Sequence, residues 1–198
     1  MDPLAIGEMI WEPELIPLLI AGPCVLEDGD EALRIASACV ELADKFDFLY
    51  VFKSSYLKDN RSSVDSYTGP GLEKGLSMLE RVRSETGVPV LTDVHCREEV
   101  GPAAEVCDIL QIPAFLSRQT RLILAAAGTG KAVNIKKGQF LSPENMHNAV
   151  EKARAGGAAG IMITERGTSF GYNNLVVDMT AFPRMRSTGV PVIFDATH

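Results

Sequence analysis

The sequence predicts an α/β fold, and three observations carry that prediction. Seven short runs rich in Val, Ile, Leu and Phe recur along the chain: Leu15 to Ala21, Phe48 to Lys53, Val88 to Asp93, Asp108 to Ile112, Ala132 to Lys136, Gly160 to Thr164 and Val190 to Asp195. They alternate with segments of helical spacing, and most are apolar nearly throughout, as strands of a parallel sheet covered on both faces are. Nearly every run also ends in a chemically capable group: Cys24, Lys53, Asp93 with His95, Gln111, Lys136, Glu165 with Arg166, and Asp195 with His198. An open doubly wound sheet gathers such groups at one switch point, whereas a (β/α)8 TIM barrel delivers every strand end to a single mouth. The barrel is therefore the predicted architecture, with seven of its eight strands present in this chain.

The helical segments are Asp30 to Lys45, Gly71 to Thr86, Arg97 to Val106, Arg118 to Gly128, Pro143 to Ala155 and, less regularly, Asn173 to Ser187. In the first of them Leu33, Ala36, Val40 and Ala43 share one face, while Glu31, Arg34, Glu41 and Asp44 mostly avoid it. Ser142-Pro143-Glu144 is a helix-start signal, and Gly128, Gly156 and Gly157 are stops. Residues 1–14 read as a small cap or hairpin at the bottom of the barrel rather than a further βα unit. No linker or domain boundary is visible, so residues 1–198 are expected to form one barrel domain, incomplete at its C-terminal side.

Composition narrows the function. The chain has 198 residues, 46% of them hydrophobic and 23% charged, values ordinary for a globular domain. Lys and Arg total 19 against 26 Asp and Glu, a net charge of -7, which argues against a nucleic-acid surface. No apolar run approaches the roughly 20 residues of a membrane span, and the acidic N-terminus does not resemble a signal peptide, so the cytoplasm is the expected compartment. The four cysteines lack a CxxC pair and do not read as a disulfide framework. Cys39, Cys96 and Cys107 are assigned to packing, and His147 receives no role.

Against this acidic background, Phe52 to Ser63, FKSSYLKDNRSS, places Lys53, Lys58 and Arg61 among Ser54, Ser55, Asn60, Ser62 and Ser63. Such a set suits phosphate, because Arg offers a bidentate fork, Lys a point charge, and hydroxyls and amides the remaining donors. A solvated basic loop would look the same in isolation. The phosphate reading is favoured by further cations at other strand ends: Arg166, and one of Lys136 and Lys137, which strand alternation sends to opposite sides. Together they suit ligands with more than one anionic group. Cys24 and His198, at the tips of the first and seventh strands, are a candidate pair of ligands for a borderline divalent ion such as zinc or iron(II). Asp93, Glu165 and Asp195 could each act as acid, base or orienter, or pair structurally with nearby cations.

Taken in order, the stretches AGPC, FKSSYLKDNRSS, YTGPGLEKG, LTDVH, LQIPAFLSRQT, VNIKKGQFLSPENM, TERGTSFGYNNLVVDM and VIFDATH resemble the 3-deoxy-D-manno-octulosonate-8-phosphate (KDO8P) synthase family, from about Leu15 to His198. The related DAHP synthases typically carry a KPRTS-type stretch where this chain has Lys58 to Ser63. The resemblance implies condensation of phosphoenolpyruvate with D-arabinose 5-phosphate, releasing phosphate and giving an eight-carbon sugar acid for lipopolysaccharide or related glycans. It implies that Lys53, Lys58, Lys136 and Arg166 hold the phosphate and carboxylate of phosphoenolpyruvate, with Gln111, Asp93 and His95 around the reacting end. Asn60, Arg61 and Ser62 match the arabinose-phosphate side. Phe115 and Arg118 match residues that reach a neighbouring subunit's site, implying a homotetramer. Cys24 matches the metal-dependent class, so a divalent ion (zinc, iron(II) or manganese) is implied, with His198 as a second ligand. The catalytic set implied is Lys53, Asp93, His95 and His198.

Three departures from the family pattern stand out. Asp65 and Thr68 occupy positions that commonly hold His and Arg, Asp59 stands where KANRSS has alanine, and the family continues beyond DATH with an eighth strand and further acidic metal ligands. The expectation is a truncated or partial chain forming a barrel with a gap. The rival readings are condensation with another aldose phosphate, such as erythrose 4-phosphate, and a phospho-ligand-binding remnant without turnover.

Overall fold

The computed structural model describes residues 1–197. Seven strands form one parallel sheet: β3 (Leu18–Ala21), β4 (Leu49–Lys53), β5 (Val90–Asp93), β6 (Ile109–Ile112), β7 (Ala132–Lys136), β8 (Gly160–Glu165) and β11 (Val192–Phe194). Its strand order is β11-β8-β7-β6-β5-β4-β3, so each strand lies beside its predecessor in the chain, as in a barrel wound in one direction. Preceding it are β1 (Leu4–Ile6) and β2 (Met9–Trp11), an antiparallel hairpin, and between β8 and β11 lies a second hairpin of β9 (Thr168–Ser169) and β10 (Leu175–Val176). The helices are α1 (Gly29–Lys45), α2 (Leu72–Thr86), α3 (Arg97–Val106), α4 (Thr120–Ala127), α5 (Met146–Gly156) and α6 (Ala181–Arg186). This is an α/β fold of partial TIM-barrel type, its sheet curled into a half-barrel.

Strand alternation splits the apolar residues into two cores. Val51, Leu91, Ile109, Ala132 and Met162 point inward and pack with Leu18, Ile20, Leu49 and Ile193, while Leu4, Ile6 and Trp11 of the first hairpin close this inner core from below. The outward residues Tyr50, Phe52, Val90, Leu110, Ile112, Val133, Ile135 and Ile163 meet the helices in the larger core. Trp11 also donates its indole N–H to the Ile16 carbonyl at 2.8 Å, fixing the route from hairpin to barrel. Each fully buried Ile or Leu in these layers contributes about 1.5–3 kcal/mol relative to an exposed one.

Helix starts and stops follow local chemistry. Asp28 caps α1 by accepting the N–H groups of Asp30 at 3.0 Å and Glu31 at 2.9 Å. Gly87 ends α2 in the left-handed region, φ 73°. The expected helix over Asn173 to Ser187 shrinks to α6, because Gly167, Gly171 and Asn173 have φ of 100°, 67° and 59° and fold the preceding residues into the β9–β10 hairpin. Cys96, assigned to packing, is exposed just before α3; Cys107 is buried. No helix among the described residues is long and apolar enough to cross a membrane.

Candidate active site

Moving up the inner face of the sheet, the inward positions change from apolar to polar. Above Leu91 comes Asp93, above Ile109 comes Gln111, and above Ala132 come Asn134 and then Lys136. Asn134 donates to Gln111 Oε1 at 3.0 Å and accepts from Thr164 Oγ1 at 2.8 Å, so a buried ladder joins β6, β7 and β8 beneath the mouth. Satisfying both ends of that amide fixes the orientation of Gln111, whose side chain lines the cavity above.

The cavity has a volume of about 340 Å³ and is lined by Lys58, Asn60, Asp93, His95, Gln111, Phe115, Lys136 and Arg166, together with Asp59 and the turn around Pro113. Eight of the sequence-derived site residues thus meet on one cleft. Lys53 lies beside them: its charge interacts with those of Asp93, Lys58 and Lys136, and its ammonium reaches Ser55 Oγ at 3.4 Å. Arg61, Ser62 and Arg118 are exposed and are not among the residues lining the cleft. His198 lies outside the described residues. Cys24 is exposed past the end of β3. Among the described residues no three His, Cys, Asp or Glu side chains come together as a metal site, so the described donors do not by themselves make one.

Asp93 is the hub. It accepts a short hydrogen bond from Ser55 Oγ, and its other oxygen lies 3.6 Å from Lys58 Nζ and 3.4 Å from His95 Nε2. Burial alone would raise its pKa, but the His95 contact and the charges of Lys53 and Lys58 outweigh it and hold the carboxyl well below the usual range. Burial acts on Lys53 in the opposite sense and prevails over the attraction of Asp93, bringing the ammonium down to about 8. Lys136 pairs with Asp195, which joins the end of β7 to the residue following β11.

The two neighbouring lysines diverge as alternation requires. Lys136 faces the cleft, whereas Lys137 is fully buried behind it, 3.5 Å from Glu165 and donating to Thr168 Oγ1 at 3.0 Å and the Gly167 carbonyl at 3.2 Å. Glu165 in turn accepts the Gly167 N–H at 2.6 Å. This knot fixes the turn that presents Arg166, whose Nε is buried with no hydrogen-bond partner among the described residues.

The loop that presents Lys58 and Asn60 is pinned at both ends. Lys58 N–H donates to the Thr68 carbonyl at 2.6 Å and Gly71 N–H to the Tyr56 carbonyl at 3.2 Å. Gly69, at φ 121°, has no room for a Cβ against the Tyr56 carbonyl, and Gly22 has none against that of Lys53. Ser54 Oγ donates to the Pro23 carbonyl at 2.9 Å, so the AGPC turn and the start of the FKSS loop run together.

Sequence reasoning missed two residues of this arrangement. Tyr56, fully buried, donates to Glu99 Oε2 at 2.7 Å, and the same oxygen accepts the His95 backbone N–H at 2.7 Å and lies 3.3 Å from His95 Nδ1. The spacing of His95 and Glu99 was the available signal; the part played by Tyr56 depends on how the loop folds back.

A family model described as "DAHP synthetase I family" matches residues 14–198. Among curated proteins, the chain is 53% identical over 195 residues to a 2-dehydro-3-deoxyphosphooctonate aldolase of Trichlorobacter lovleyi, covering 98% of this chain and 72% of that protein. It is 57% identical over 180 residues to the protein of that name from Nitratidesulfovibrio vulgaris and 55% identical over 180 residues to that from a Cyanothece species, in each case covering 91% of this chain and 66% of the relative. The chain thus spans about two thirds of the length of these two relatives and somewhat more of the first. On the strength of the match across nearly its whole length, the chain belongs to the DAHP synthetase I family.

Proposed function

We propose that this chain carries the phosphoenolpyruvate site of a KDO8P synthase and condenses phosphoenolpyruvate with D-arabinose 5-phosphate and water, giving 3-deoxy-D-manno-octulosonate 8-phosphate and inorganic phosphate. The observation that carries the reading is the meeting of Lys58, Lys136 and Arg166 with Asp93, His95 and Gln111 on one cleft, with Lys53 beside them. Two anionic groups on a three-carbon substrate need several cations at short range, and the acidic chain concentrates them here. The names of the relatives point to the same product.

In the proposed reaction, C3 of phosphoenolpyruvate attacks the aldehyde carbon, whose oxygen takes a proton. Water adds at C2 and gives up a proton, after which the C2 hydroxyl becomes the ketone as the C2–O bond to phosphate breaks, its proton leaving with the phosphate. The cations hold phosphate and carboxylate in place, so approach of the sugar becomes effectively unimolecular, and their fixed charges stabilise the departing phosphate. Asp93 and His95 form the polar wall from which protons can be moved, and Gln111 is oriented by Asn134 to donate to substrate oxygen. Asn60 lines the cleft, with Arg61 and Ser62 following it in the same loop, and we assign them to the sugar phosphate.

Phosphate release from phosphoenolpyruvate, measured with arabinose 5-phosphate and separately with erythrose 4-phosphate, tests the reading. Release with the first sugar alone is expected, and no release with either would overturn it. Because Lys53 titrates near pH 8, KM for phosphoenolpyruvate should rise as pH rises through about 8, and Lys53→Arg should flatten that rise.

Two further parts of the proposal are separable. A divalent ion held by Cys24 and His198 would bind in proportion to protein on metal analysis and be lost in Cys24→Ala; equal metal content in that variant would exclude Cys24 as a ligand. A homotetramer, for which the 60% exposure of Phe115 at the cleft's rim is the supporting feature, is checked by sedimentation of the native chain and of Phe115→Asp. The cytoplasm is the compartment this substrate pair implies.

A further inference from the structure

We propose that Glu99 and Tyr56 are positioning residues that hold His95 as a doubly protonated imidazolium against Asp93, making it a fixed proton donor at the cleft. The inference rests on the proposed condensation for its catalytic consequence, but not for its structural content. His95 Nδ1 lies 3.3 Å from Glu99 Oε2 and Nε2 lies 3.4 Å from Asp93 Oδ2. An ionised carboxylate oxygen can only accept, so a ring facing one on each side is matched when both nitrogens carry hydrogen. The ring is further confined by Tyr56, packed edge-to-face at a centroid distance of 5.9 Å.

Glu99 is itself held. It accepts the Tyr56 hydroxyl at 2.7 Å and the His95 backbone N–H at 2.7 Å, so one oxygen fixes both the backbone and the ring of His95. Tyr56 cannot retreat, because it is fully buried and α2 presses on it through Gly75, where a Cβ would collide with the Tyr56 side chain. The charged groups acting on His95 come from each neighbouring element: Asp93 from β5, Glu99 from α3 and Asp59 from the loop after β4, with Lys58 opposing them through its contact with Asp93. Burial favours the neutral ring, but the Asp93 contact and the charges of Asp93, Glu99 and Asp59 prevail and raise its pKa.

The reaction uses such a donor where the aldehyde oxygen becomes a hydroxyl: a proton passes from His95 to that oxygen, and the neutral ring recovers it from the attacking water. His95 must begin protonated, so activity declines as pH rises through its pKa. Glu99→Gln keeps an acceptor for Tyr56 and the His95 backbone while removing the charge, so the alkaline limb of kcat should move to lower pH, with a loss of roughly tenfold on that side and little change in KM. Tyr56→Phe should move it in the same direction by less.

The ring resonances of the three histidines, followed by NMR through a pH titration with His95 assigned from His95→Asn, give a readout independent of turnover. A fall in the His95 pKa in Glu99→Gln, with unchanged thermal unfolding, is the expected result. An unmoved His95 titration overturns the proposal even if the enzyme is active. Should wild type release no phosphate, the condensation reading fails while the titration still decides the role of Glu99.

Discussion

Replacing Lys137 by methionine is expected to destabilise the fold by about 3–5 kcal/mol, because Glu165 would be left as an uncompensated buried charge. Lys137 has no exposed surface and Glu165 only 1%. Besides Glu165, the Lys137 ammonium faces the carbonyls of Gly138, Leu141 and Gly167 and the hydroxyl of Thr168, so its loss removes a donor from each of these groups as well. For a domain of this size the change corresponds to a melting temperature lower by roughly 10 °C. Its neighbour behaves differently. Lys136 lines the cleft and, like its partner Asp195, keeps some exposure, so Lys136→Met should leave thermal unfolding nearly unchanged while removing phosphate release. Thermal unfolding and phosphate release, measured on both variants, separate the two roles. Equal melting temperatures for Lys137→Met and wild type would show that the buried pair is not holding the β7 and β8 turns together.

That contrast also marks what the sequence could reveal. Period-two alternation says that Lys136 and Lys137 face opposite ways, but not which way, because the inward side depends on the register of β7 between β6 and β8. Arg97 to Val106 was legible to the residue, since the apolar spacing ends cleanly at Cys107. Asn173 to Ser187 was not: its helical spacing is less regular, and the left-handed backbone at Gly171 and Asn173 folds the segment back before α6 begins. The cations of the cleft were visible one by one as strand ends. The Tyr56–Glu99 contact was invisible because it spans 43 residues and exists only when the loop after β4 closes through Lys58 with Thr68 and Gly71 with Tyr56. Cys96 was misassigned for a similar reason. A residue just ahead of a helix faces solvent or core according to the angle at which the helix leaves the strand, which tertiary packing decides.

Asp93→Asn should cost roughly 10²–10⁴ in kcat/KM, the range of a positioned acid–base group, with an unusual pH dependence. Asp93 interacts with Lys53, Lys58 and His95 at once. Lys53 is already brought down to about 8 by burial, with Lys58 and Lys136 adding to that fall and Asp93 opposing it. Without Asp93 the fall goes further, so Lys53 is neutral over more of the neutral range and phosphoenolpyruvate binds less well there. The pKa of His95 also falls, since its contact with Asp93 is the strongest influence raising it. Both changes take a proton from the cleft in the same direction, so the activity remaining in Asp93→Asn should peak at lower pH than in wild type. Stability follows the opposite slope. A carboxyl held below its usual range stabilises the fold at every pH above that range, and loses this contribution as pH falls through the depressed value. Wild type should therefore lose more stability on acidification than Asp93→Asn does. Kinetics across neutral pH and unfolding across acid pH give two separate readings of the same side chain. An Asn variant with wild-type kcat/KM at every pH would remove Asp93 from the centre of the site and leave the cations as a binding surface only.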